Sequence, residues 1–248
     1  MKRVAALYRY ALSLRYRVHL EGTGVLLEEG TKLLLPNHQA LVDPQILYAH
    51  VYRYLVATPL MSVDYFEIRL LQPLFKRLGA IPVPNLERGR AGVAVAAGLH
   101  ERVLEALQEG KHVLLYPAGQ IAAGGSERIR NKQVAWQVCR RLPAGTRVIG
   151  VRVRGLWGSM WSRAGNGKSP HFLPTYLKGI FYVLVNFVFL LPRRAVLISF
   201  HDITGEALEE ATRGRAEFNA FLETFYNSPA PDSLVRVRHL FWQRGRRG

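Results

Sequence analysis

Lys32-Leu33-Leu34-Leu35-Pro36-Asn37-His38-Gln39-Ala40-Leu41-Val42-Asp43-Pro44 passes from an unbroken apolar run, through a short loop, to an Asp-Pro pair. The run at 32–35, bounded by Gly30 and Pro36, reads as a buried strand, because a strand covered on both faces does not alternate. Pro44 suits the first turn of a helix, where its missing N–H would be unpaired anyway, and Asp43 strengthens that start. The helix extends to about residue 54. Strand, loop and helix in this order open an α/β unit. They also put the loop at the carboxyl end of the strand, where such sheets carry their ligands.

The same alternation continues outward. Residues 17–21 alternate and stop at Gly22, which reads as a strand and turn. After the 44–54 helix come a strand-like stretch at 55–57, a helix at 67–77 interrupted near Pro73, and an extended segment at 81–83. A helix follows over 89–108, ended by Gly110, and then a buried strand over 111–116 halted by Pro117. A glycine-rich loop at 119–125 leads to a helix at 131–141, and strands follow at 148–153 and 196–200. Residues 157–174 read as a loop rich in Gly, Ser and Trp, and 206–226 as one C-terminal helix. The expected class is α/β: one domain with a mostly parallel central sheet flanked by helices.

Three regions are expected: a basic amphipathic helix at 1–16, the main domain at 17–226, and a basic tail at 227–248. The first carries Val4, Leu7, Tyr8, Leu12 and Leu14 among Lys2, Arg3, Arg9 and Arg15. It is either an interfacial element or a helix docked on the domain. The tail turns to Pro, Arg and isolated aromatics, the pattern of a loosely ordered end or a second surface anchor. The longest apolar run, 180–191, is interrupted by Asn186 and is about half the ~20 residues of a spanning helix. It belongs either to the core or to a membrane interface. The N-terminus lacks the apolar region and cleavage site of a signal peptide.

In 248 residues, 34 Lys and Arg oppose 18 Asp and Glu, a net charge of +16. That balance implies an anionic partner, nucleic acid or acidic lipid headgroups, and composition does not choose between them. No helix-turn-helix, RRM or zinc signature supports a nucleic-acid partner. The single cysteine, Cys139, excludes an internal disulfide and reads as a buried thiol. His50, His100, His112, His171 and His201 lack metal-ligand spacing, so no metal is expected.

His38 and Asp43 carry the chemistry. On one helix, residues five apart lie about 140° apart, so the pair meets only if His38 sits in the loop. Asp43 would then accept from one ring nitrogen and fix the tautomer, while the other nitrogen takes a proton from an incoming hydroxyl. Taken alone, the pair reads more readily as an N-cap and a polar loop residue.

Asn37-His38-x4-Asp43 after an apolar strand is followed by Gly79-Ala80-Ile81-Pro82-Val83, Leu114-Leu115-Tyr116-Pro117-Ala118-Gly119 and Val148-Ile149-Gly150-Val151. In this order and spacing the chain resembles the glycerolipid (PlsC-like) acyltransferase superfamily, in its lysophosphatidic-acid acyltransferase branch, over roughly residues 15–205. The resemblance implies acyl transfer from acyl-CoA or acyl-ACP, as co-substrate and without a metal, to a lipid hydroxyl. His38 would be the base and Asp43 its partner. It further implies a peripheral or monotopic protein at the cytoplasmic face of the cell membrane, in contact with acidic lipids.

Two departures narrow this. Asn85 stands where the family's second motif has Arg, with Arg88 and Arg90 close behind. In the third motif Ala118 and Ile121 replace the family's carboxylate and arginine. Ile121 cannot grip a phosphate as an Arg fork does. The expected acceptor is therefore a lyso-aminolipid or another lysophospholipid and not plain lysophosphatidic acid. Asn37, Arg88, Arg90, Pro117, Gly119, Gln120, Arg128 and Arg130 are its candidate contacts. The altered third motif also fits a non-catalytic membrane adaptor that binds acidic lipid.

Overall fold

The computed structural model describes residues 2–66, 72–83, 98–188 and 190–242. Helix α1 (Lys2–Ser13) leads into strand β1 (Tyr16–Glu21), then β2 (Lys32–Pro36), α2 (Asp43–Val51) and β3 (Ala57–Ser62). Two short helices, α3 (Val63–Phe66) and α4 (Gln72–Arg77), precede β4 (Ile81–Val83). Next come α5 (Leu99–Gln108), β5 (His112–Leu114), α6 (Val134–Arg140), β6 (Arg147–Arg154) and α7 (Phe172–Val185). Strand β7 (Arg194–Asp202) is followed by α8 (Thr204–Arg213) and α9 (Arg215–Asn227). The expected helix starts at 67 and 89 fall outside the described residues, as do Asn85, Arg88 and Arg90.

Among the described residues seven strands form one sheet in the order β1-β7-β6-β2-β5-β3-β4. Strands β6, β2, β5, β3 and β4 run parallel to one another. Strand β7 runs antiparallel to β6, and β1 is parallel to β7. The sheet is thus α/β and mostly parallel, as the alternation predicts, with a reversed pair at one edge. Strands β5 and β6 lie on either side of β2, so the chain crosses over β2 between them. That crossing leaves a crevice at the carboxyl end of β2, where His38 follows.

The apolar run of β2 serves two cores. Leu33 and Leu35 pack with Val113, Val148 and the inner faces of α5, α6, α8 and α9. Leu34 packs on the other face with Ile149, Val151, Ile46, Leu47 and Ile198. All three leucines are fully buried, each worth about 1.5–3 kcal/mol relative to exposure. Lys32, also buried, donates its ammonium to the carbonyls of Glu28 and Gly30. A Cβ at Gly150 would stand 2.8 Å from the Phe225 ring, so the bare backbone there lets α9 close on the sheet. Cys139 is buried in α6, where burial pushes its thiol up to about 12. It is a packing residue.

Three expectations change. The 206–226 helix is two, because Gly214 takes a backbone conformation reserved for glycine (φ 154°, ψ 175°) that turns the chain between α8 and α9. The described part of the tail, to residue 242, is docked: Asp232 Oδ2 accepts from Gly155 N at 2.8 Å, and Arg194 Nη2 donates to the Val235 carbonyl at 2.7 Å. The apolar run at 180–191 begins within a helix that starts at Phe172 and has no buried residue, whereas Asn186 and Leu191 beyond that helix are buried.

Candidate active site

Pro36 ends β2, and the loop 37–42 is then fastened from three sides. Asn37 Nδ2 donates to the Val153 carbonyl at 3.0 Å, and its Oδ1 accepts from Val153 N at 2.6 Å. Both polar ends of this buried amide are therefore spent on β6, which fastens the loop. Leu41 N donates to the Trp161 carbonyl at 3.0 Å. Ala122 N donates to the His38 carbonyl at 2.7 Å, joining this loop to the glycine-rich one after β5.

Asp43 is the first residue of α2. Its carboxylate does not cap the helix amides ahead of it. It folds back instead, and Oδ2 accepts from Gln39 N and, at 2.9 Å, from Ala40 N. The same oxygen lies 3.2 Å from His38 Nδ1. Asp43 is fully buried, while His38 keeps 14% of its side chain exposed. Two amide donors hold the carboxylate still, so the imidazole meets a fixed acceptor that favours a proton on Nδ1 and a free lone pair on Nε2. The loop placement of His38 makes this meeting possible.

Two further groups contact His38, one at its ring and one at its main chain, and nothing in their sequence spacing announces them. The Tyr116 ring lies 4.6 Å from the His38 ring, centroid to centroid. Its buried hydroxyl, like Asp43 Oδ1, has no hydrogen-bond partner among the described residues. Burial, with the charges of Asp43 and Glu127 nearby, holds that phenol well above its usual value, so it stays neutral. Glu127 Oε2 accepts from His38 N at 2.9 Å. Glu127 is buried, and burial first, then the charges of Asp43 and Glu223, push its carboxyl up to about 8.

Helix α9 holds this second strip of the site. Asn219, Glu223 and Asn227 fall four residues apart on one helix face. Asn219 Nδ2 donates to the carbonyls of Arg130 and Lys132 at 2.7 and 2.9 Å. Glu223 Oε1 accepts from Ile129 N and Arg130 N at 2.6 and 3.0 Å. Asn227 grips the main chain of Glu127 from both sides, at 2.9 and 3.0 Å. This clamp supports the Arg130 backbone at φ 56°, a conformation uncommon for a side-chain-bearing residue.

A cavity of about 340 Å³ opens along the loop after β5; neither His38 nor Asp43 lines it, and its link to them is Ala122, which bonds the His38 carbonyl. Gln120, Arg128 and Arg130 line it, together with Arg163, which the sequence did not single out. Arg163 is steered by Ser169 Oγ, which accepts from its Nε at 2.9 Å. Ile121, Ala122, Ala123, Gly124 and Ser126 complete its lining. Pro117 and Gly119 do not line it. Pro117 is buried, and Gly119 closes the turn onto the Tyr116 carbonyl at 3.1 Å. Among the described residues no group of three His, Cys, Asp or Glu side chains could hold a metal ion.

The family model described as Acyltransferase matches residues 17–153. No curated protein matches the sequence. Among solved structures, the 1-acyl-sn-glycerophosphate (LPA) acyltransferase PlsC from Thermotoga maritima superposes with a TM-score of 0.60 at 14% identity, over 90% of this chain and 75% of that one. At that identity the likeness is one of fold.

Proposed function

Because this chain belongs to the acyltransferase family, we propose that it transfers a fatty acyl group from acyl-CoA or acyl-ACP to the hydroxyl of a lyso-lipid, with His38 as general base. The observation that carries this reading is the 3.2 Å approach of His38 Nδ1 to Asp43 Oδ2, with an arginine-lined cavity on the neighbouring loop, tied to the His38 carbonyl through Ala122. In the reaction, His38 Nε2 takes the acceptor's hydroxyl proton as that oxygen attacks the thioester carbonyl. Asp43 stabilises the imidazolium that forms. The oxygen–carbon bond forms and the carbon–sulfur bond breaks. The departing thiolate receives the proton from His38.

The acceptor is a lysophospholipid with more than a bare phosphate in its headgroup, taken from an acidic bilayer at the cytoplasmic membrane face. Arg128, Arg130 and Arg163 support the anionic part, since guanidinium forks bind phosphate with charge-assisted hydrogen bonds. The cavity's volume of about 340 Å³ supports the larger headgroup. Arg128 and Arg130 thereby take the task that Ala118 and Ile121 cannot perform.

Purified protein is incubated with labelled acyl-CoA or acyl-ACP and a panel of lyso-lipids. The reading expects one diacyl product class, lost in His38→Ala. Turnover that survives His38→Ala undiminished would sink the mechanism. Vesicle binding with no turnover from any donor would replace it with the adaptor.

A further inference from the structure

Helix α7 has an unusual position for so apolar a segment. Leu173, Leu177, Ile180, Phe181 and Leu184 recur at helical spacing along one stripe, and Leu173, Leu177, Phe181 and Leu184 are each more than half exposed. Phe187 and Leu190 extend the stripe beyond the helix, and both are at least half exposed. An isolated exposed leucine is ordinary, whereas a continuous apolar stripe marks an interaction surface.

The helix is pinned at both ends. The Phe172 ring lies 6.3 Å from that of Trp161, whose carbonyl holds Leu41 of the catalytic loop. At the far end the buried amide of Asn186 donates to the His239 carbonyl at 2.8 Å and accepts from Phe241 N at 2.8 Å. The Tyr182 and His239 rings stack at 4.6 Å. Burial, with cationic neighbours, lowers that histidine to about 4, so it stacks as a neutral ring. The stripe is therefore a fixed outward face.

Its surroundings are cationic. The sequence has no Asp or Glu between Glu127 and Asp202, and none before Glu21. Lys178 stands on α7 itself, 5.8 Å above the Tyr182 ring. A groove of about 370 Å³ is lined by Arg17 and Arg193, both exposed, with Leu191 and Ala195. Helix α1 lies alongside, where the Tyr8 hydroxyl bonds Gln45 Oε1 and feels the Tyr176 phenol. Its Leu7 and Tyr10 are exposed. The 14 residues of α7 reach about 21 Å at 1.5 Å each, short of the ~30 Å hydrocarbon layer. Among the described residues no helix is long and apolar enough to cross a membrane.

We infer that α7 is the docking element for an anionic bilayer, lying in the plane of the interface with its leucine and phenylalanine stripe at the headgroup–acyl boundary and Arg17 and Arg193 on lipid phosphates. This rests on the membrane-surface placement proposed above, and it assigns that role to an internal helix joined through Trp161 to the catalytic loop. The arrangement holds the His38 loop close to the bilayer that supplies the acceptor.

The full chain carrying Leu177→Cys is labelled with an environment-sensitive fluorophore and mixed with vesicles of phosphatidylcholine alone or with phosphatidylglycerol. Leu27→Cys is the control, being also more than half exposed but following β1 at the opposite end of the sheet. The position-177 probe should shift to the blue with anionic vesicles, and the position-27 probe should not. Arg17→Ala and Arg193→Ala should each lower the vesicle partition coefficient about fivefold. Equal shifts at both positions, or none at 177, would overturn the proposal. A shift at 177 that grows with protein concentration without vesicles would overturn it in favour of a second copy of the chain. None of these readouts uses turnover, so this proposal and the acyl-transfer reading fail separately.

Discussion

The main-chain N–H of His38 donates to Glu127 Oε2 at 2.9 Å, so a second buried carboxyl holds the imidazole's residue opposite Asp43. No cation pairs with Glu127 among the described residues, and burial pushes its carboxyl from 4.5 to about 8. Its folded value lies above its unfolded one, so the folded state favours the protonated carboxyl. Stability is therefore full below about 4.5 and declines as pH rises through about 8. Each unit of displacement corresponds to about 1.4 kcal/mol. In thermal melts across this window, Glu127→Gln should flatten the decline while keeping an acceptor for His38 N. Glu127→Ala should lose activity at every pH, having no acceptor to hold the loop. Parallel stability profiles for wild type and Glu127→Gln would remove the titration from Glu127.

His38→Ala and Asp43→Asn should each lower kcat on the order of 10²–10⁴-fold with little change in acceptor KM. Asp43→Asn is the more informative, because an amide can present N–H to Nδ1 and so reverse the tautomer. Its carbonyl oxygen can still serve Gln39 N or Ala40 N. A loss of kcat with an unshifted melting temperature would therefore be chemical in origin. A collapse of the melting temperature would mark Asp43 as a purely structural anchor.

The parts of this site differ in how far the sequence disclosed them, and the reason is distance along the chain. His38 and Asp43 were legible because five residues, a strand end and a helix start fix their relation locally. Strand β2 and helix α2 were legible for the same reason. The reversed β1–β7 pair was not, since the direction of a strand depends on partners far away in sequence. Glu127 reads as one acid in a polar loop, and only the fold carries it to His38. Asn219, Glu223 and Asn227 show a visible four-residue spacing, but that pattern ordinarily marks a solvated helix face. Gly214 was the available signal for the break between α8 and α9. Asn37 lay within the motif, yet its task depends on Val153, which is 116 positions away.

Arg128, Arg130 and Arg163 line one cavity, so their separate removal should act on one ligand. Each alanine variant should lower kcat/KM for a phosphate-bearing lyso-lipid about 10- to 100-fold, the usual scale for one charge-assisted hydrogen bond. The KM for the acyl donor should stay unchanged. Lysine at these positions should recover only part of the loss, because an ammonium lacks the planar fork. A rise confined to the KM of acyl-CoA would instead assign the arginines to the donor's phosphates.

Asn37→Ala should cost stability more than affinity. Asn37 satisfies both the N–H and the carbonyl of Val153, and both are main-chain groups of a buried residue. Leaving a buried polar group without its partner costs about 1–3 kcal/mol, so losing two should lower unfolding free energy by roughly 2–6 kcal/mol, readable in urea titration. Asn37→Asp retains the acceptor but places a charge opposite the Val153 carbonyl, and should be no better. If Asn37 touched the acceptor instead, its loss would raise acceptor KM and leave the urea midpoint in place. The two outcomes separate a fastening role from a binding one, and the paired bonds to Val153 favour the first.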